Sequence, residues 1–468
     1  MGRVERAIRK NHPTTEPPNH PTMNRIASLF LLAATLSAFA GETPFDKMQL
    51  KGRTDKENPV GYKVGEPIVF TLRTDGLDAV PTGGNYRVRW ERTGDDGKVE
   101  KGESKLVVGE TCVVTTRLDR AGFVRLQAHV VAGGGGYWVH RSGPAPGNEG
   151  WDNDRSVFFD GGAGADVDKI ALEKPEPEDF DAYWAKQRAE LAKVPVKADV
   201  KEVRSSAGTK VYAVAVDCAG PRPVTGYLVV PEGARAKSCV ARVHFQGYGT
   251  GVQQPPGGPA QKGEIFFEVN AHGYDLGMHR GYYDDFFSKI APKGRQYAFS
   301  KEENADPDTA YFHGMALRVL RALEFMKTRG EWNGKDLIVE GGSQGGLQTS
   351  WAAGLDKDVT LARPFITWGC NWGFVDGTRI RGPWHIPWAP GLGYYDAVSH
   401  IARAKCPVEI TRAGLGDYTC PPSGLALFYN AIKAPKSIVW VQGSRHGHTP
   451  VGDNQVYVET SNPSAKRK

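Results

Sequence analysis

The chain has 468 residues, 40% hydrophobic and 24% charged, a globular composition with room for two or three domains of roughly 100–200 residues each. Its formal charge of +6 is concentrated at the ends: Arg3, Arg6, Arg9, Lys10 and Arg25 face only Glu5 and Glu16 in the first 40 residues, and the final AKRK adds three cations. The body is therefore near neutral and carries no basic stripe interleaved with aromatics, which argues against a nucleic-acid partner.

In chain order, MNRIASLFLLAATLSAFA comes first. Met23 and Arg25 precede an apolar stretch from Ile26 that ends in Ala38-Phe39-Ala40, the pattern of an export signal cut after Ala40. The polar, proline-containing residues before Met23 do not fit a signal, so Met23 is the expected start. The apolar run is short for a membrane span of about 20 residues, so no span is expected after cleavage. The expected location is periplasmic or extracellular. No cysteine follows the cleavage site to carry a lipid. Six cysteines (Cys112, Cys218, Cys239, Cys370, Cys406, Cys420) form no CxxC or Cys/His cluster of zinc spacing, which argues against a thiolate metal site and leaves any disulfide pairing open.

Residues 44–165 read as an all-β domain. PIVFTLRT, NYRVRWER, ETCVVTTRL and GFVRLQAHVV alternate apolar and polar residues, and TGDDGKVEKG is a hairpin turn. The expectation is a small immunoglobulin-like sandwich. The stretch GGGGYWVHRSGPAPGNEGWDND then reads as a connection.

Residues 170–458 change character. EPEDFDAYWAKQRAELAKV places Phe180, Tyr183, Trp184, Leu191 and Val194 near one helical face. Strand candidates follow: VYAVAVDC, TGYLVVP, CVARVHF, EIFFEVNA, DLIVEGG, PFITWGC, PVEITRAG and SIVWVQG. DTAYFHGMALRVLRALEFMKTR is an amphipathic helix among them. Several of these strands are continuous apolar runs, as expected where both faces of a parallel sheet are covered. The fold class expected is α/β, a doubly wound, mostly parallel sheet of the α/β-hydrolase kind.

In DLIVEGGSQGGLQTSWAAGL an apolar strand runs into Gly341-Gly342-Ser343-Gln344-Gly345-Gly346 and then a helix. Strand, G-x-S-x-G and helix in that order describe a nucleophile elbow. Glycines are required where backbones crowd. The turn lifts Ser343 above the carboxyl edge of the sheet, where the Gln344 N–H can meet a developing oxyanion. A reactive serine needs a base and the base an orienting carboxylate, in the chain order Ser, Asp, His, each after a later strand. Asp417 follows PVEITRAG. His446 follows SIVWVQG and is preferred over His448 because it comes sooner after the strand. A second oxyanion N–H is expected from Tyr248, in the Gln246-Gly247-Tyr248-Gly249 loop after CVARVHF, though those glycines could equally make a plain turn.

DFDAYW, QGYG, GGSQGG, YYDAVSHIARAKCPV and GDYTCPPS, with the histidine after the last strand, resemble the acetyl xylan esterase and cephalosporin C deacetylase family, carbohydrate esterase family 7, over residues from about 175 to 455. The resemblance implies Ser343, Asp417 and His446 as a triad, and the Tyr248 and Gln344 amides as an oxyanion hole. It implies acetylated xylo-oligosaccharides or other small acetyl esters as substrates, no metal or organic cofactor, and a closed homo-oligomer with buried sites. One departure stands out. Where that family has Arg-Gly-Gln, this chain has His272-Gly273-Tyr274, which puts a narrow substrate range in question. The N-terminal domain and the NWGFVDGTRIRGPWHIPWAPGLGYY insertion are also atypical. Of Trp368, Trp372, Trp384 and Trp388 in and before that insertion, Trp372 and Trp384 are candidates for stacking on sugar rings, against the plainer role of packing under a lid.

The expected function is that of an exported serine esterase for acetylated xylan fragments. A prolyl-oligopeptidase-like peptidase has the same triad order but usually carries a β-propeller, for which the N-terminal region is too short. A non-catalytic glycan-binding protein on a hydrolase fold is the third possibility, and the intact Ser, Asp and His argue against it.

Overall fold

The computed structural model describes residues 43–76, 78–145, 154–206, 208–291, 296–373, 379–382 and 384–461. The export segment expected at Met23–Ala40 lies outside them. Among the described residues no helix is long and apolar enough to cross a membrane, and all six cysteines are free thiols.

The first strands are β1 (Gln49–Thr54), β2 (Ile68–Asp75), β3 (Arg87–Gly94), β4 (Val99–Lys105), β5 (Thr111–Thr116), β6 (Gly122–Ala132), β7 (Tyr137–Trp138) and β8 (Phe158–Ala165). One sheet runs β1-β2-β5; a second runs β4-β3-β6-β7, with β8 also paired to β6. Leu50, Phe70, Leu72 and Val114 from the first sheet and Val88, Leu126, Val130 and Phe159 from the second share one buried cluster. Alternation carries Arg92 inward too. It is fully buried, and Asp96 receives both Nη1 and Nη2 at 2.7 Å. A charge taken out of water is tolerated only with such a partner.

The second region holds β9 (Ala198–Ser206), β10 (Thr209–Val216), β11 (Val224–Pro231), β12 (Cys239–Phe245), β13 (Glu264–Val269), β14 (Trp332–Gly342), β15 (Leu361–Phe365), β16 (Val408–Gly414), β17 (Lys436–Val441) and β18 (Val456–Ser461). Its helices are α1 (Phe180–Ala192), α2 (Arg280–Ile290), α3 (Tyr311–Thr328), α4 (Gln344–Leu355), α5 (Ala397–Ile401) and α6 (Pro422–Ala431). Among the described residues these strands make one sheet in the order β18-β17-β16-β15-β14-β12-β13-β11-β10-β9. The run from β13 through β12, β14, β15 and β16 to β17 is parallel. The protein is thus a mixed α/β fold with a large, mostly parallel sheet. VYAVAVDC and TGYLVVP, however, lie in β10 and β11, which pair antiparallel with each other and with β9 and β13. The edge strands β9 and β18 escaped prediction because their residues are exposed or half-buried, so neither carries the buried apolar pattern of the inner strands.

Chain order and sheet order diverge at one place. From β12 the chain moves outward to β13, then returns to the other side of β12 as β14 and continues in the opposite direction. The loops after β12 and β14 leave on opposite courses, and the crevice between them is where open α/β sheets place ligands.

Candidate active site

The β14–α4 junction is built by steric exclusion. A Cβ on Gly345 would lie 2.2 Å from the Phe245 carbonyl oxygen at the end of β12, and one on Gly341 would lie 2.7 Å from the Gly345 carbonyl. Gly345→Ala must push the two backbones apart; it is expected to cost about 1–3 kcal/mol, read as a lower melting temperature. An unchanged melting temperature would mean that this crowding is not tight.

Between these glycines Ser343 adopts φ 56°, ψ −119°, a region costly for any residue with a side chain. The surroundings hold it there. Its N–H donates to Phe365 O at 3.1 Å, and its carbonyl accepts from Leu347 N and Trp368 N, both at 3.1 Å. The first N–H groups of α4 have no acceptor within the helix and face the turn.

Ser343 lines a cavity of about 770 Å³ together with Tyr248, Trp368, Trp384, Arg412 and His446. Asp417 lies just beneath, fully buried. Its Oδ1 accepts from Thr419 N and Cys420 N, both at 3.0 Å, and its Oδ2 meets His446 Nδ1 at 2.9 Å. The Cys420 thiol sits beside this pair. Its sulfur lies within 4.8 Å of donor atoms of Asp417 and His446. Burial, reinforced by the Asp417 charge, pushes this thiol well above its ordinary pKa, so it stays protonated. Asp417 is already committed to three hydrogen bonds and the thiol is protonated, a donor set poorly disposed to bind a metal.

His446 and His448 part company at a tight turn. Arg445 N donates to His448 O at 2.9 Å and His448 N to Arg445 O at 3.1 Å, which leaves His446 at the tip, facing the cavity. His448 is 7% exposed and turns to the opposite side, with its ring 5.4 Å from that of Phe158 on β8.

The β12 loop is held from behind. The Gln344 side chain is buried and accepts from Tyr297 OH at 2.8 Å, while the Tyr297 ring stacks on Tyr248 at 4.0 Å. His272 braces the same loop: Nε2 meets Gly249 O at 2.8 Å and Nδ1 meets Tyr311 OH at 2.7 Å. Burial pulls its pKa down to about 3, so the ring is neutral, with Nε2 donating and Nδ1 accepting. Tyr274 OH takes the Gln253 N–H at 2.7 Å and donates to Gly251 O at 3.1 Å. The His272-Gly273-Tyr274 departure thus supplies scaffolding for the loop from behind, and none of the three lines the cavity.

The tryptophans divide. Trp384 and Trp368 line the cavity. Trp372, expected as a sugar platform, does not: it is 3% exposed and stacks on Phe312 at 5.0 Å. The turn at Asn371 (φ 63°) and the Asp396 carboxylate, which accepts the N–H groups of Asn371 at 3.1 Å and Trp372 at 2.8 Å, aim that ring into the core.

Two contributors were not foreseen. The glycine-rich β8 backs the loops that carry Asp417 and His446: Gln442 exchanges two hydrogen bonds with Gly162 (2.9 and 2.8 Å), and a Cβ on Gly416 would lie 2.0 Å from Asp160 O. Arg412 is the other. β16 shifts register against β17 between Ile410 and Ala413, a β-bulge that turns Arg412 to the cavity wall.

Fold and site together define a mixed α/β protein with a serine at its central strand-to-helix turn and an Asp–His pair in the loops that follow two later strands. The chain belongs to the acetyl xylan esterase (AXE1) family, whose profile matches residues 166–376 and 389–459. It is 27% identical over 292 residues to the acetyl esterase Axe7A of Xylanibacter ruminicola, an alignment covering 58% of this chain and 64% of that protein. The chain thus spans less than two thirds of the length of that relative. Among solved structures it is similar to an acetyl xylan esterase from Paenibacillus sp. R4 (25% identity, 60% of this chain, 93% of that one, TM-score 0.49). It is also similar to acetyl xylan esterase 1 from Thermoanaerobacterium sp. JW/SL YS485 (19% identity, 60% and 92%, TM-score 0.49).

Proposed function

We propose that this chain is an exported serine carboxylesterase that removes acetyl groups from acetylated xylan, xylo-oligosaccharides or similar small esters. The observation that carries the reading is the 2.9 Å His446–Asp417 contact on the rim of the cavity that Ser343 lines. Asp417 fixes the proton on Nδ1 and leaves Nε2 as the base. His446 takes the Ser343 proton as Oγ bonds to the acetyl carbon, and the carbonyl electron pair moves to oxygen. The Gln344 and Tyr248 amides receive that oxyanion. Collapse of the adduct breaks the bond to the sugar oxygen, which takes the proton from His446. Water then repeats the sequence on the acetyl-enzyme and releases acetate. No step calls for a metal or organic cofactor.

A cavity of about 770 Å³ far exceeds an acetyl group and leaves room for sugar rings, with Trp384 on its wall. Family membership supports acetyl esters as the substrate class. In this reading residues 44–165 are an immunoglobulin-like domain whose β8 props the acid and base loops, residues 170–458 are catalytic, and the Met23–Ala40 segment directs export.

Acetate release from acetylated xylan, set beside p-nitrophenyl butyrate and a prolyl peptide substrate, tests the reading. Acetyl esters should be turned over fastest. Cleavage of the peptide without acetate release would move the protein to the peptidases.

A further inference from the structure

The cavity wall presents a cation, Arg412, with no ion-pair partner among the described residues. Arg412 sits on the β16 bulge, and the bulge is pinned because the Arg412 carbonyl accepts the Ile366 N–H at 3.0 Å. Its guanidinium is held in two ways: Nη1 donates to Thr449 Oγ1 at 2.9 Å, and its carbon lies 5.7 Å from the centroid of the Phe365 ring. Its Nε is buried without a hydrogen-bond partner among the described residues. Burial draws its pKa below the ordinary arginine value, with the Asp417 charge opposing.

Two other half-buried arginines are paired with carboxylates: Arg125 has Asp160 at 2.6 Å, and Arg403 has Glu176 at 3.0 Å and Asp181 at 2.6 Å. Arg412 forms no ion pair among the described residues, and the described cavity lining contains no Asp or Glu. Asp417, the nearest acid in the site, is fully buried and engaged by His446, Thr419 N and Cys420 N. A fixed, partly dehydrated guanidinium without an anion is costly to maintain. A planar fork of N–H donors matches a carboxylate.

We propose that Arg412, positioned by Thr449 and Phe365, is an anion subsite that selects ester substrates bearing a carboxylate near the scissile acyl group, foremost a uronic acid substituent on the sugar chain. This inference rests on the esterase reading above and narrows its substrate class.

The test uses the full chain and two matched acetylated xylo-oligosaccharides, one with a free uronate branch and one with that uronate as its neutral methyl ester. The free acid should be preferred in kcat/KM by roughly ten- to a hundredfold, less at high salt. Arg412→Gln should bring the ratio to about one, Arg412→Lys should keep part of it, and Thr449→Val should reduce it with the charge still present. Thermal unfolding checks that each variant is folded. A second pair, the p-nitrophenyl hemiester of succinate against p-nitrophenyl butyrate, locates the anion: preference in the first pair alone puts the carboxylate on the sugar, and preference in the second puts it on the acyl chain. Equal rates within both pairs, or a ratio that survives Arg412→Gln, would overturn the subsite. Absence of any p-nitrophenyl acetate turnover by the unmodified chain would instead remove the esterase reading itself.

Discussion

Ser343→Ala is expected to lower p-nitrophenyl acetate turnover by about four to six orders of magnitude and to leave the melting temperature within about 2 °C. Activity should vanish because the described cavity lining holds no cysteine or lysine to replace the serine. The neighbouring Cys420 thiol is kept protonated by burial and by Asp417, so it is a poor attacking group. The fold should persist because the turn is held by backbone hydrogen bonds to Phe365, Leu347 and Trp368 and does not depend on the hydroxyl. Ser343→Gly sharpens the argument. Glycine adopts φ 56°, ψ −119° freely, so that variant should be equally inactive and about 1 kcal/mol more stable than the alanine variant. Backbone strain would then be a cost of presenting the hydroxyl. Turnover above about 1% in Ser343→Ala, against the loss expected for a nucleophile, would mean that the chemistry does not pass through this serine.

The readable parts of this site are those where one residue type is stereochemically compulsory. GGSQGG was legible because Gly341 and Gly345 each stand where a Cβ would strike backbone, and because an elbow joins a buried strand to a helix. Strand order made Asp417 and His446 legible as positions. Other features depend on pairing across the chain, which local pattern does not encode. β8 is a strand of FFDGGAGA, poor in β-formers, and exists because backbones approach it closely: a Cβ on Gly162 would lie 2.5 Å from Val124 O and 3.0 Å from Leu415 O. Arg412 reaches the cavity through a register shift between two strands. Trp372 reads as readily as Trp384 for a sugar contact, and the carboxylate of Asp396, 24 residues further on, decides otherwise.

The choice between His446 and His448, two residues apart, is of the same kind and yields the second large effect. On the proposed mechanism His446→Ala should reduce kcat for p-nitrophenyl acetate by about four to six orders of magnitude, as loss of the base does in Ser-His-Asp triads, while His448→Ala should stay within about tenfold of the unmodified chain. The difference comes from the turn. Its paired Arg445 and His448 backbones put 446 at the tip, and its flanks are fastened to the β8 side: the Arg445 guanidinium lies 3.9 Å from the Phe158 ring centroid and 3.1 Å from Asp154, and His448 packs on the same ring. His448→Ala should therefore appear in stability, at about 1–3 kcal/mol for a buried ring lost from a packed site. Asp417→Asn tests the orienting role proposed for Asp417 apart from that proposed for His446. An amide in place of Oδ2 cannot hold the Nδ1 proton as the carboxylate does, so kcat should fall by about 10⁴. In Asp417→Asn combined with His446→Ala the losses should not add, because the two act as one unit. Additive losses, or a His448→Ala variant as inactive as His446→Ala, would show that the 2.9 Å contact between Asp417 and His446 is structural and that the base lies elsewhere.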